Sequence, residues 1–204
     1  MTIDALLFTT PACPHCPGVK TALQGLQQEG LIQALEVVDL SIAPERGAEY
    51  GVRSVPWLKL GEFVLHGVQT PAELRHWAEQ AAYPDGISGY LKEQLANGEL
   101  DAVEALLQRQ PQHLASLLGL LKKEERPIQV ALGVSAILES LPGQTLAGLE
   151  PELLALADET DHRLRADAAH FLGLLDSATA KHKLMALRDD PHPEVREIAA
   201  DALE

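Results

Sequence analysis

At 204 residues, 46% of them hydrophobic and 23% charged, the chain is a globular protein with room for one large domain or two small ones. Its formal charge of −14 repels nucleic acid and anionic bilayers, so neither is expected as a partner. Met1 to Phe8 carries no basic leader and its apolar run is too short for a signal-peptide core or a membrane span, so a cytoplasmic protein with a protein or small-molecule partner is expected.

In chain order, Ala5 to Phe8 is a buried strand, Gly18 to Gln28 a helix, and Leu35 to Leu40 a second strand, followed by a short helix from Pro44 to Tyr50. Pro56 to Leu60 and Glu62 to His66 form a hairpin about Gly61, and Pro71 to Ala82 is a helix with Thr70 as its N-cap. This order implies a small sheet whose first two strands are parallel and whose last pair is antiparallel. After Tyr83-Pro84-Asp85-Gly86 the period-two alternation stops, and Ala and Leu recur at helical spacing to the end. Breaks near Asn97-Gly98, Gln110-Pro111, Arg126-Pro127, Leu141-Pro142-Gly143, Asp158 to Asp161, Asp176 and Asp190-Pro191 separate helices paired through short turns. The expected division is a domain at 1–83, a linker at 84–89 and a helical domain at 90–204.

The helical half repeats itself. Leu164-Arg165-x-x-Ala168-Ala169-x-x-Leu172 returns as Val195-Arg196-x-x-Ala199-Ala200-x-x-Leu203, and Asp158 maps onto Asp189 by the same shift. A weaker copy places Ile128, Leu132, Gly133 and Ala136 at the matching apolar positions. This pattern resembles the HEAT-like repeats, an α-solenoid of stacked helix pairs in which small Ala pairs allow close approach. Arg165 and Arg196 then either bridge carboxylates or carbonyls between adjacent repeats or stand as solvated helix charges.

The chemistry lies in Cys13-Pro14-His15-Cys16, which holds both cysteines of the chain. Two thiols at this spacing on a helix start can close a disulfide on each other, and in the cytoplasm such a pair stays reduced or cycles. Cys13 is expected at or just before the helix N-terminus, where unpaired backbone N–H groups and the helix dipole favour a thiolate. Pro14 suits the first helical position and Cys16 lies one turn inside. His15 either stabilises the thiolate, which makes the disulfide more oxidising, or faces solvent with little effect. Pro17 has no N–H to bond the Cys13 carbonyl, so the first turn is irregular or starts later. Ser54-Val55-Pro56 opens the third strand, with Pro56 either cis, presenting the Val55 backbone for strand-like pairing with an extended substrate, or trans at an edge. Trp57 beside it faces a substrate groove or packs.

Together, Phe8 to Pro17 and Val55-Pro56 resemble the thioredoxin/glutaredoxin superfamily over about residues 1 to 83. The resemblance implies the thioredoxin-like fold, Cys13 as nucleophile, Cys16 as resolving thiol and Pro56 as the family's cis-proline. The sequence departs from the thioredoxin pattern at Leu7, where that family has a buried Asp, and at Ala12, where it has Trp.

The expected fold class is therefore an α/β thioredoxin-like N-terminal domain followed by an all-α HEAT-like repeat domain. The expected function is thiol-disulfide oxidoreductase, without a cofactor, with catalytic Cys13, Cys16, His15 and Pro14 and substrate-binding Val55 and Pro56. Its partners are a protein disulfide or dithiol client, bound by the helical repeats, and a reductase or dithiol partner that recycles the pair. A rival is a redox-sensing adaptor in which the repeats carry the function. A second rival, metal binding at Cys13 and Cys16, lacks ligands, since no second Cys-x-x-Cys or His-x-x-x-His pair accompanies them; no metal is expected, and the eight histidines are scattered.

Overall fold

The computed structural model describes residues 2–83, 85–123 and 127–204. Met1 of the leader reading, Pro84 of the expected linker and Arg126 of an expected break lie outside the described residues. The chain divides into two compact units, Met1–Tyr90 and Leu91–Glu204.

In the first unit β1 (Ile3–Thr9), α1 (Cys16–Gln28), β2 (Ile32–Asp39), α2 (Pro44–Glu49), β3 (Trp57–Leu60), β4 (Phe63–His66) and α3 (Pro71–Ala81) follow one another. The sheet order is β2-β1-β3-β4. β1 runs parallel to β2 and antiparallel to β3, and β3 is antiparallel to β4. β2 begins at Ile32, earlier than Leu35, because Ile32 pairs with Ile3 at the start of β1.

As the central strand, β1 is apolar on both faces. Leu6 and Phe8 point to one side, where they pack with Val38, Trp57 and Val64 and with Tyr50 and Val52 of the α2 region. Leu7 points to the other, in register with Leu58 of β3. On that side Phe63 of β4 meets Trp77 of α3 at 6.0 Å between ring centroids. Val19, Leu23 and Leu26 of α1 and Leu74, Trp77 and Ala78 of α3 are buried, and the two helices pack on each other. The β3–β4 turn uses Gly61 at φ +55°, a conformation side chains disfavour. Thr70 caps α3 through a capping box: its Oγ1 accepts from Glu73 N at 3.2 Å, and its N–H donates to Glu73 Oε2 at 2.7 Å.

α4 (Gly86–Ala96) contains the division between the units, and residues 86–89 of the expected linker are helical. Tyr90 belongs to the first unit, stacked on Phe63 at 4.4 Å. Its hydroxyl donates to Val64 O at 2.8 Å and accepts from Val64 N at 3.2 Å. β4 is an edge strand, and Tyr90 satisfies backbone groups that such an edge leaves open.

The second unit continues with α5 (Leu100–Arg109), a 3-10 turn at Pro111–His113, α6 (Leu114–Gly119), a second 3-10 turn at Leu120–Lys122, and α7 (Ile128–Ser140). α8 (Gly143–Ala147), α9 (Glu150–Leu156), α10 (His162–Gly173), α11 (Ala178–Leu187) and α12 (Pro193–Asp201) complete it. Most repeat positions of the two matched copies form its interior, with Ala168, Ala169, Leu172, Val195 and Ala199 fully buried, whereas Ile128 and Leu132 of the weaker copy are exposed, against the expectation of matching apolar positions. The close approach extends to Gly173, where an added methyl carbon would sit 2.6 Å from that of Ala202. Arg165 donates from Nε and Nη2 to the two carboxylate oxygens of Asp190 at 2.8 and 2.9 Å, and from Nη1 to Glu159 O and Thr160 O. Arg196 repeats the carbonyl contacts one copy later, to Asp190 O and Pro191 O. Both arginines are thus engaged rather than merely solvated. Among the described residues no helix is long and apolar enough to cross a membrane.

Candidate active site

The strand directions assemble the site. β1 and β2 end at the sheet edge where β3 begins and β4 ends, so the loops carrying Cys13 and Cys16, Ile42, Val55-Pro56 and Gly67 gather there. Gly67 N donates to Pro56 O at 3.0 Å, tying two of these loops together.

From Thr9 the chain turns through Thr10 to His15 before helix begins. Cys13 N donates to Thr10 O at 3.1 Å, and the next residues bend into α1, with His15 as N-cap and Cys16 as the first helical residue. Two details of the expected local structure are corrected. Pro14 lies before the helix rather than at its first position, and Cys16 opens α1 rather than sitting one turn inside it. The reason is Pro17: lacking an N–H, it cannot continue the i→i−4 pattern backwards, and the helix bonding starts with Val19 N donating to His15 O at 3.3 Å.

Cys13 and Cys16 are joined as a disulfide, with Cα atoms 5.5 Å apart. The Cys16 N–H, an unpaired donor at the helix start, points to Cys13 Sγ at 3.1 Å. Cys13 is 9% exposed and Cys16 3%, so the residue that the helix N-terminus addresses is also the more exposed of the two. Leu7 of β1 is fully buried, and the departure from a carboxylate at that position stands. Pro14 and His15 are exposed, and the His15 side chain makes no capping bond. The Val55–Pro56 peptide is cis, with Val55 half-buried and Pro56 buried. Trp57 packs: it is 2% exposed and sits edge-on to Phe8 at 5.4 Å and to Tyr50 at 5.7 Å.

Two residues that the sequence reading did not single out for the site lie in the loops at this end of the sheet. Ile42, after β2, and Val68, after β4, are large apolar side chains left exposed. The signal that finds them is topological: both follow strands ending on the side where β1 delivers the cysteines.

A cysteine pair in this setting can accept or donate an electron pair by thiol–disulfide exchange, with one sulfur addressed by a backbone N–H. Residues 1–79 match the family model of the thioredoxin domain, and residues 130–204 match that of HEAT repeats. A thioredoxin of Methanocaldococcus jannaschii is 34% identical over 71 residues, spanning 33% of this chain and 82% of the relative. A probable thioredoxin of Archaeoglobus fulgidus is 30% identical over 71 residues, spanning 34% of this chain and 78% of its own. One from Methanothermobacter thermautotrophicus is 28% identical over 65 residues, spanning 31% and 76%.

Proposed function

Since the chain belongs to the thioredoxin family and is a thiol-disulfide oxidoreductase, we propose that Cys13 is its attacking thiol, Cys16 its resolving thiol, and the helical repeats a binding surface for a protein client in the cytoplasm. In the reducing direction the Cys13 thiolate attacks one sulfur of a client disulfide. A mixed disulfide forms, and the other client sulfur leaves as a thiolate and takes up a proton. Cys16, deprotonated, then attacks Cys13 Sγ; the Cys13–Cys16 bond forms and the first client sulfur leaves. The client disulfide gains two electrons and the dithiol loses two, to be restored by a reductase or a dithiol partner. The same steps in reverse oxidise a client.

The observation that carries the assignment of roles is the Cys16 N–H aimed at Cys13 Sγ at the start of α1. It favours negative charge on Cys13, both as nucleophile and as leaving group. His15 adds a donor or positive charge nearby, and Pro14 holds the turn between the thiols. Val55 and Pro56 receive the client's extended backbone, an assignment that rests on the family resemblance and on their place at the cysteine edge of the sheet. Ile42 and Val68 offer apolar contacts to the residues flanking the client disulfide.

The test is a trap. Full-length Cys16→Ser mixed with a disulfide-bonded peptide is expected to accumulate a covalent adduct through Cys13, released by an added thiol, while Cys13→Ser forms none. An adduct that forms through Cys16 in Cys13→Ser, at the same rate, overturns the assignment of roles.

A further inference from the structure

Two helix starts meet in the second unit. His162 is the first residue of α10, His192 is the N-cap of α12, and Glu194 lies in the first turn of α12. The imidazoles stack with centroids 3.7 Å apart and planes 25° from parallel. Glu194 Oε2 is 3.9 Å from His162 Nε2 and 3.9 Å from His192 Nδ1. One donor atom from each of the three residues lies within 4.8 Å of the others. The distances are too long for hydrogen bonds, and His192 Nδ1, shut off from solvent, has no hydrogen-bond partner among the described residues. A buried nitrogen left that way is destabilising, and a bound cation would give it a partner.

We propose that His162, His192 and Glu194 form a binding site for a divalent cation of borderline softness, Zn²⁺ foremost, with two imidazole nitrogens and one carboxylate oxygen as ligands and water completing the shell. Imidazole and carboxylate are the donors that such ions take at about 2.0–2.2 Å, which sets tetrahedral ligands about 3.4 Å apart. Closing from 3.9 Å to the carboxylate, and from at most 4.8 Å between the two nitrogens, is a small movement for these side chains, which are 40%, 36% and 55% exposed. The rings must turn out of their stack until both in-plane lone pairs converge, and that exposure leaves them room.

One carboxylate makes the site electrically suitable. The partial positive charge of the two helix N-termini opposes a cation, and Glu194 offsets it, whereas Asp161 is already paired with Arg163 at 2.7 Å. Asp161 Oδ1 lies 3.9 Å from His162 Nδ1, the nitrogen Glu194 does not face, and is hydrogen-bonded to Arg163 instead. With three protein ligands the site is open, and the bound ion ties the starts of α10 and α12 together. The proposal is independent of the thiol chemistry.

The experiment uses the full-length Cys13→Ser/Cys16→Ser protein without a histidine tag, so that neither thiolates nor tag can bind metal. It is titrated with Co²⁺, followed by visible absorption, and then with Zn²⁺ in competition. One ion per chain is expected, and Zn²⁺ should raise the melting temperature. His162→Gln, His192→Gln and Glu194→Gln should each weaken binding at least about tenfold, since the loss of an outer-shell partner alone costs that much. His182→Gln, on α11, should bind as the parent does, and circular dichroism of the apo variants checks that each is folded. Absence of saturable binding in the parent, or variants that bind as tightly as the parent, overturns the proposal. A Zn²⁺-induced rise in melting temperature that survives His192→Gln also overturns it.

Discussion

The backbone surroundings of Cys13 are expected to make it an acidic thiol in the reduced protein. Its sulfur accepts the Cys16 N–H at 3.1 Å at the mouth of a thirteen-residue helix, and these groups favour the thiolate over the thiol. In the reduced protein the alkylation rate of Cys13 against pH is expected to show a midpoint well below about 8.5, the value of an ordinary thiol. His15→Ala should raise that midpoint by less than about one unit, because interactions of an exposed charge are worth about 1 kcal/mol or less. The same change should make the couple more reducing. A Cys13 midpoint at or above that of a free thiol removes the argument for its role. The cysteine pair was legible in the sequence because its chemistry depends on spacing along the chain. The position of Pro14 was legible only in part: Pro17 signalled an irregular or later first turn, but not that the helix start would pass Pro14 and fall at Cys16. His162 and His192 were illegible as a pair for a different reason, since only the stacking of α10 and α12 brings them together.

At the level of helices and strands, one ion pair fastens successive repeats. Asp190 is 8% exposed, and its carboxyl is held below the usual range chiefly by hydrogen bonds from Arg165, against the opposing effect of burial. Arg165→Met keeps much of the stem and removes the charge, so it leaves a buried carboxylate uncompensated. A loss of about 3–5 kcal/mol at neutral pH is expected in urea unfolding. Arg165→Met/Asp190→Leu should recover much of that loss, and a double variant no better than the single one refutes this origin. The capping box of α3 supplies a pH dependence. Glu73 has a lowered pKa, chiefly through its hydrogen bonds with Thr70, so its contribution to stability is fully present above the unfolded value of about 4.3 and fades as pH falls through the folded one. Glu73→Gln should therefore lower stability at pH 7 more than at pH 3, and equal effects at both would exclude the carboxylate as the cause. The repeat itself was legible from the matched Arg and Ala-Ala positions. Its acidic partner was not: the motif paired Asp158 with Asp189, yet Asp158 meets Lys183 and Arg165 takes Asp190. Both aspartates stand at a turn, where a one-residue step exchanges a solvent-facing carboxylate for a buried one.

For the whole molecule the question is what a redox domain gains from a helical partner on the same chain. A disulfide exchange site recognises little beyond two sulfurs and a few residues of backbone, so selection among clients is better served by a separate surface, and repeat units offer extended ones. Testing this requires a cut that leaves the catalytic unit whole. Residues up to Tyr90 must be kept, because Tyr90 stacks on Phe63 and its hydroxyl holds both backbone groups of Val64 on the edge strand. Removal of residues 91–204 from Cys16→Ser is then expected to leave the rate with a small aromatic disulfide within about twofold, since that reagent needs only Cys13 and its helix. Trapped proteins, identified by mass spectrometry of the adducts, should change in identity and fall in number. The adaptor reading expects the reverse: partners bound by the helical half persist in Cys13→Ser, and few covalent adducts form with the full chain. If the truncated and full-length traps capture the same proteins in the same proportions, the repeats do not choose clients, and client recognition falls to the edge formed by Ile42, Val55, Pro56 and Val68.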